Sequence, residues 1–246
     1  MSDLAGKRAL VTGASRGIGA AIALALAEKG ADVAITYQNS AEQAAGLVRA
    51  IEAKGRRGFA IQADSADAAA VKRSVDEAAG NLGGLDILVN NAGVARGGPL
   101  AEMSLDDIDA VLDVNVRGVV LASQAAIPHL ADGGRIVSIG SCLAERVAFP
   151  GLTVYSMSKS ALLAFTRGLA RELGPRGITV NLVHPGPTDT DMNPAQSERA
   201  DAQRGLTALG RYGTPEDVAA AVAFLASPAA RQITGTGIAV DGGTNA

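Results

Sequence analysis

The sequence has no tryptophan, one cysteine and two histidines in 246 residues. A single thiol, Cys142, excludes an internal disulfide and any metal site built on cysteine pairs. Two histidines, His129 and His184, are too few for a histidine cluster. Basic runs are missing as well. The 22 Lys and Arg are scattered, the net charge is −3, and no nucleic-acid footprint is visible. No apolar run reaches the roughly 18 residues of a membrane span. The opening MSDLAGKRALVTG carries no charged leader followed by an apolar stretch, so no signal peptide is read there. Linkers, low-complexity segments and fixed-period repeats are absent too. The expectation is a cytoplasmic protein with no metal, membrane or nucleic-acid partner.

What is present is an alternation. Hydrophobic residues make up 48% and charged residues 19%, a globular balance, and the length suits one α/β domain. Short β-rich runs fall at 9–13, 32–37, 58–63, 86–91, 135–140, 178–183 and 237–242. Several are continuously apolar, which suits strands buried on both faces of a parallel sheet. Helical stretches lie between them, near 17–29, 41–54, 67–80, 104–130, 154–173 and 215–226. Ser104 with Asp107, and Thr214 with Pro215 and Asp217, read as helix starts. Repeated βα units of this size predict a doubly wound, seven-stranded parallel sheet with helices on both faces, a Rossmann fold over 1–246. The polar, irregular stretch 185–213 follows directly on a strand. It is expected to be a substrate-binding loop, because ligands sit at the carboxyl ends of such strands.

The first βα turn reads TGASRGIG, residues 12–19. Gly13, Gly17 and Gly19 let the backbone turn tightly and approach a pyrophosphate. Ser15, Arg16 and Ile18 complete the turn, and a helix N-terminus behind it offers free N–H groups to an anion. No Gly-Lys-Ser/Thr follows, so it is not a Walker A loop. An NAD site usually carries an acid near the end of the second strand, for the ribose hydroxyls. Here Tyr37, Gln38, Asn39 and Ser40 occupy that region and none is acidic. A carboxylate would repel a 2′-phosphate, whereas Arg16 with Asn39 and Ser40 would bind it. The expected cofactor is therefore NADP(H).

Four further stretches join these: NNAG at 90–93, DVNVRG at 113–118, SIGS at 138–141 and YSMSK at 155–159. With TGASRGIG, HPGPTDT at 184–190 and ITGTGIAVDGG at 233–243, the whole chain resembles the short-chain dehydrogenase/reductase family. The resemblance implies a catalytic tetrad of Asn115, Ser141, Tyr155 and Lys159. Tyr155 would be the general acid or base, with Lys159 one helical turn on lowering a phenol pKa that is ordinarily about 10. Lys159 would also hold the ribose hydroxyls, Ser141 would polarise the substrate oxygen, and Asn115 would hold a water in a proton relay. Without the other motifs, a tyrosine and a lysine four apart are an ordinary helix pair. Asp64 would meet the adenine amino group, with Ser65 beside it. Asn91, Ala92 and Gly93 would line the cofactor ribose, and Pro185, Gly186, Thr188 and Thr190 would face the nicotinamide.

One departure concerns the serine. In the family it stands about thirteen residues before the tyrosine, whereas Ser141 stands fourteen before and Cys142 takes the family spacing. Ser141 is retained because SIGS ends its strand in the family manner, which leaves the loop before Tyr155 one residue longer. His184 reads as strand-end packing. The expected reaction is reduction of a small carbonyl compound to an alcohol, or the reverse. The alternatives are a 3-oxoacyl-acyl-carrier-protein reductase, or a nucleotide-binding regulator on the same fold. Carrier docking is disfavoured because IPHLADGGR lacks a Lys/Arg pair, although Arg171 stands in the next helix. The family resemblance implies a homotetramer, with a dimer as the fallback.

Overall fold

The computed structural model describes residues 3–246. Seven strands, β1 (Arg8–Val11), β2 (Asp32–Tyr37), β3 (Gly58–Gln62), β4 (Leu85–Asn90), β5 (Leu130–Ile139), β6 (Thr179–Pro185) and β7 (Gly237–Val240), form one sheet. All are parallel, in the order β3-β2-β1-β4-β5-β6-β7. The helices between them are α1 (Gly17–Glu28), α2 (Ala41–Glu52), α3 (Ala68–Leu82), α4 (Leu105–Leu112), α5 (Gly118–Ala126), α6 (Thr153–Leu173), α7 (Ala200–Arg204) and α8 (Pro215–Ala226). Among the described residues no helix is long and apolar enough to cross a membrane.

The continuous apolar strands serve two cores at once. On β1, Ala9 and Val11 join the cluster under α1, α2 and α8, while Leu10 between them joins the cluster under α3, α5 and α6. On β4, Ile87 and Val89 face the first cluster and Leu88 the second. Alternate side chains of a strand point to opposite faces, so a strand covered on both sides must be apolar throughout. Helix starts follow their caps. Thr214 and Asp217 form a reciprocal capping box on α8, and Asp67 accepts from Ala69 and Ala70 at the start of α3.

Chain order reverses between β1 and β4. A crevice therefore opens beyond their carboxyl ends, next to Thr12 and Asn91. Two segments depart from expectation. The single helix expected over 104–130 is two helices separated by a π-helical turn, Asp113–Arg117, closed by Gly118 N–H donating to Asp113 O. One extra residue per turn rotates Asn115 into the interior, where it is fully buried, and such turns concentrate at functional sites. The stretch expected to be irregular, 185–213, holds α7. It is braced by two hydrogen bonds between the amides of Asn193 and Gln203, at 2.9 and 3.1 Å.

Candidate active site

The glycine turn is gripped from two sides. Gly13 N–H donates to Thr36 Oγ1 at 3.0 Å, and Asn91 Nδ2 donates to the carbonyls of Thr12 and Gly13 at 2.9 Å each. Thr12 Oγ1 accepts from the N–H groups of Asn91 and Ala92 at 3.0 and 3.1 Å, which welds the end of β1 to the exit of β4. Gly13 has φ +61°, and a Cβ there would lie 2.8 Å from Ala92 Cα. At Gly19 a Cβ would lie 2.7 Å from Ala14 Cα. Only glycine keeps this turn so flat against its neighbours. The Ile18 side chain packs onto the core, so this residue offers the crevice its backbone. The first N–H groups of α1 have no partner within the helix. This cradle fits an extended diphosphate.

Arg16 stands exposed at the mouth, and its guanidinium lies 3.6 Å from the Asp191 carboxylate across the crevice. Thr190 also reaches the turn, its Cγ2 lying 3.6 Å from where a Cβ on Gly17 would be. The segment after β6 therefore closes over the glycine turn. Within it Thr188 is buried and donates to Gly186 O at 3.0 Å, while Gly186 N–H extends the β7 pairing to Val240 O. Pro185 lies in β6 itself.

Asp64, Asn39, Gln38, Gln62, Asp67 and Arg73 line a polar cleft of about 370 Å³. One Asp64 oxygen accepts from Ala66 N–H at 2.9 Å, so that carboxylate also shapes its own loop, which carries half-buried Ser65. Ser40 stands at the N-cap of α2 without using its side chain. Tyr37, named with it from sequence, packs its ring on the core.

The residues of the expected tetrad converge. Ser141 lies two residues past β5 and caps a 3₁₀ turn, Cys142–Ala144, its Oγ accepting from Leu143 N–H at 3.1 Å. That bond leaves the serine hydrogen free to be donated elsewhere. Tyr155 and Lys159 stand on α6, and Lys159 Nζ lies 6.0 Å from the Tyr155 ring centroid. A Cβ on Gly93 would lie 3.4 Å from Asn115 Oδ1 and 3.5 Å from Lys159 Nζ, so these groups meet at one point. Asn115 accepts from Val94 N–H and donates to Val94 O, both at 2.9 Å, and also donates to Ser158 Oγ at 3.1 Å. Both its amide hydrogens are thus spent on protein. The side chain anchors the exit of β4.

Burial pushes the Tyr155 phenol above its ordinary value, and the Ser141 side chain draws it back down. The Lys159 ammonium is itself buried, donates to Ile139 O at 2.9 Å, and is depressed by burial to about 8. The i, i+4 spacing places the pair on one face but does not report burial, which favours the uncharged amine. Cys142 is buried, and burial first, then Asp241, raises its thiol to about 11, so it is a poor nucleophile.

The depressed lysine links stability to pH. The unfolded chain keeps this proton up to about 10.5, whereas the folded protein releases it near 8, so stability rises with pH across that window. From pH 8 to 9 the gain is about 1 kcal/mol. Above pH 9 the raised Cys142 thiol acts in the opposite sense, because the folded state then holds the extra proton. Urea midpoints for the protein without cofactor and for Lys159→Met are expected to diverge between pH 8 and 9. The rise is absent from the variant, and parallel curves would refute the assignment.

The loop after Ser141 is tied to the end of the sequence. Asn245 Nδ2 donates to Cys142 O at 2.7 Å and Arg146 Nη1 to Thr244 O at 3.0 Å. Sequence reasoning missed these ties, along with Thr12 and Thr36. For the two threonines the available signal was a hydroxyl at the carboxyl end of a buried strand.

The profile of a family described as enoyl-(acyl carrier protein) reductase matches residues 13–245. A short-chain dehydrogenase from Burkholderia cenocepacia, crystallised with NADP, superposes with a TM-score of 0.98 at 64% identity, covering 99% of this chain and 100% of the other. A blue fluorescent protein from a metagenomic library, in complex with NADPH, gives a TM-score of 0.98 at 56% identity with the same coverage. The 3-oxoacyl-[acyl-carrier-protein] reductase of Staphylococcus aureus is 46% identical over 241 residues, 96% of this chain and 97% of its own.

Proposed function

The chain belongs to the short-chain dehydrogenase/reductase family of oxidoreductases, and from that premise we propose that it uses NADP(H) to reduce a small carbonyl compound to an alcohol, or to run the reverse. The observation that carries the reading is the meeting of Ser141, Tyr155 and Lys159 beside a glycine cradle at the switch point of the sheet. When bound, the dinucleotide supplies the hydride. Tyr155 gives a proton to the carbonyl oxygen, which gains negative charge as the carbon is reduced. Ser141 donates its free hydrogen to the same oxygen and polarises it. Lys159 keeps donors beyond the one spent on Ile139 O and offers them to the ribose hydroxyls. Asn115 fixes the β4 exit, and with it Gly93, against the lysine.

The absence of an acid among Tyr37, Gln38, Asn39 and Ser40 supports the phosphorylated cofactor, as do the two relatives crystallised with NADP or NADPH. Arg16 is the cation for the 2′-phosphate, and the phosphate must displace its exposed contact with Asp191. Arg16→Ala is expected to raise the KM for NADPH by roughly tenfold or more while leaving that for NADH unchanged. A wild-type preference for NADH would overturn the cofactor assignment.

A small substrate is favoured over a carrier-bound one. Arg176 is committed to Asp132 at 2.9 Å and to Ile127 O, and His129 to Asp76 at 2.9 Å. Arg176 is thus paired with a carboxylate, whereas Arg171 on α6 is exposed with no ion pair among the described residues, so the preference for a small substrate rests on the missing Lys/Arg pair in IPHLADGGR. Assay of simple ketones and aldehydes beside acetoacetyl thioesters tests the choice.

A further inference from the structure

We propose that His184 is a positioning residue for the reaction, holding the Ser141 main chain so that the serine hydroxyl stays aimed at the substrate oxygen. The proposal rests on the oxidoreductase reading above for its catalytic consequence, but its geometry does not.

His184 lies on β6 and is buried. Its Nδ1 lies 3.0 Å from Ser141 O, and Ser141 N–H points at the same nitrogen from 3.4 Å, a contact in which Nδ1 would accept. The shorter contact is to an acceptor, so Nδ1 carries the proton and donates to the serine carbonyl. On the other side of the ring, Nε2 has no hydrogen-bond partner among the described residues. A bare lone pair is the form that suits such a spot, because a buried N–H without a partner is costly. The shorter contact at Nδ1 and the empty surroundings of Nε2 favour the same tautomer, which forgoes the longer contact from Ser141 N–H.

The ring occupies a slot that the neighbouring strands leave open by lacking side chains. A Cβ on Gly140, at the end of β5, would lie 2.6 Å from His184 Nδ1. A Cβ on Gly237, at the start of β7, would lie 2.5 Å from Nε2 and 2.7 Å from Cδ2. Two glycines on the flanking strands admit one imidazole between them, which is more than packing at a strand end requires. Ser141 is then fixed at two atoms. His184 holds its carbonyl, and Leu143 N–H holds its Oγ. With the backbone and one lone pair pinned, the remaining hydroxyl hydrogen has a defined direction, the condition for polarising a substrate oxygen.

Two measurements test this. The first is long-range ¹H–¹⁵N NMR of the wild-type protein, tractable because the sequence has only two histidines. The expected result for His184 is the Nδ1–H tautomer, and an Nε2–H ring or an imidazolium overturns the proposal. The second compares His184→Leu, which fills the slot without a donor, with His184→Asn, whose Nδ2 stands where Nδ1 was. Leucine is expected to lower kcat by roughly 10- to 100-fold, with the Kd for NADPH within about twofold of wild type, and asparagine to recover most of the loss. Equal impairment of both variants, or none in leucine, overturns it. If the wild-type protein reduces no carbonyl at all, the proposed function fails, and the tautomer measurement still judges the geometry.

Discussion

Tyr155→Phe is expected to lower turnover by roughly 10²- to 10⁴-fold, the range for removing a general acid, with NADPH affinity nearly unchanged. The phenyl ring keeps the packing of Tyr155 on α6, and only the hydroxyl is lost. That hydroxyl is the dissociable proton beside Ser141, and burial holds it on the oxygen. Burial alone makes the phenol a weaker acid, and the Ser141 hydrogen bond, which favours the phenolate, is what brings it toward release. In free-energy terms the loss is about 3 to 5 kcal/mol of transition-state stabilisation. Steady-state kinetics with NADPH, together with a fluorescence titration of the cofactor, separates chemistry from binding. Turnover within tenfold of wild type would remove Tyr155 from the mechanism.

Gly13→Ala is expected to act in the opposite way, on the cofactor before the chemistry. A side chain at φ +61° costs roughly 1 to 2 kcal/mol. The new methyl also meets Ala92, 2.8 Å from its Cα and 2.9 Å from its Cβ, and both atoms belong to a segment that Thr12 and Asn91 lock in place. The strain is relieved only by lifting the turn away from β4, which withdraws the α1 N–H groups from the diphosphate. The expected weakening of NADPH binding is about 100-fold or more, equivalent to about 2.7 kcal/mol. Circular dichroism of the variant should still show the folded α/β spectrum. An affinity within threefold of wild type would show that the turn is not the cradle.

Much of this was legible in the sequence, for definite reasons. Strands buried on both faces must be apolar throughout, so β1, β2 and β4 stand out as runs. Thr214 and Asp217 mark the start of α8 because a cap is a local interaction. TGASRGIG announces the turn because close backbone approach demands glycine within a few residues. What stayed hidden acts across the sheet. The π turn at Asn115 adds one residue to a helical period, too small a change to disturb the apolar pattern around it. Asn115 finds its partners in Val94 and Ser158, which no spacing rule connects to it. Lys159 lies one turn from Tyr155, as the i, i+4 interval predicts, but its depressed ammonium depends on depth, and depth is not written in that interval. His184 looked like packing because its partner stands 43 residues away.

The hydrogen bonds from Asn245 to Cys142 O and from Arg146 to Thr244 O have a consequence for how the molecule is made. The glycine turn leaves the ribosome before Tyr155 and Lys159, and Thr244 and Asn245, which brace the wall behind Ser141, leave after them. A nascent chain already long enough to present Tyr155 and Lys159 still lacks the residues that tether the loop between them and the sheet. Translation therefore delivers the site in the order of its use, the cofactor cradle before the substrate wall. An interrupted chain carries the catalytic motif without the support that shapes it.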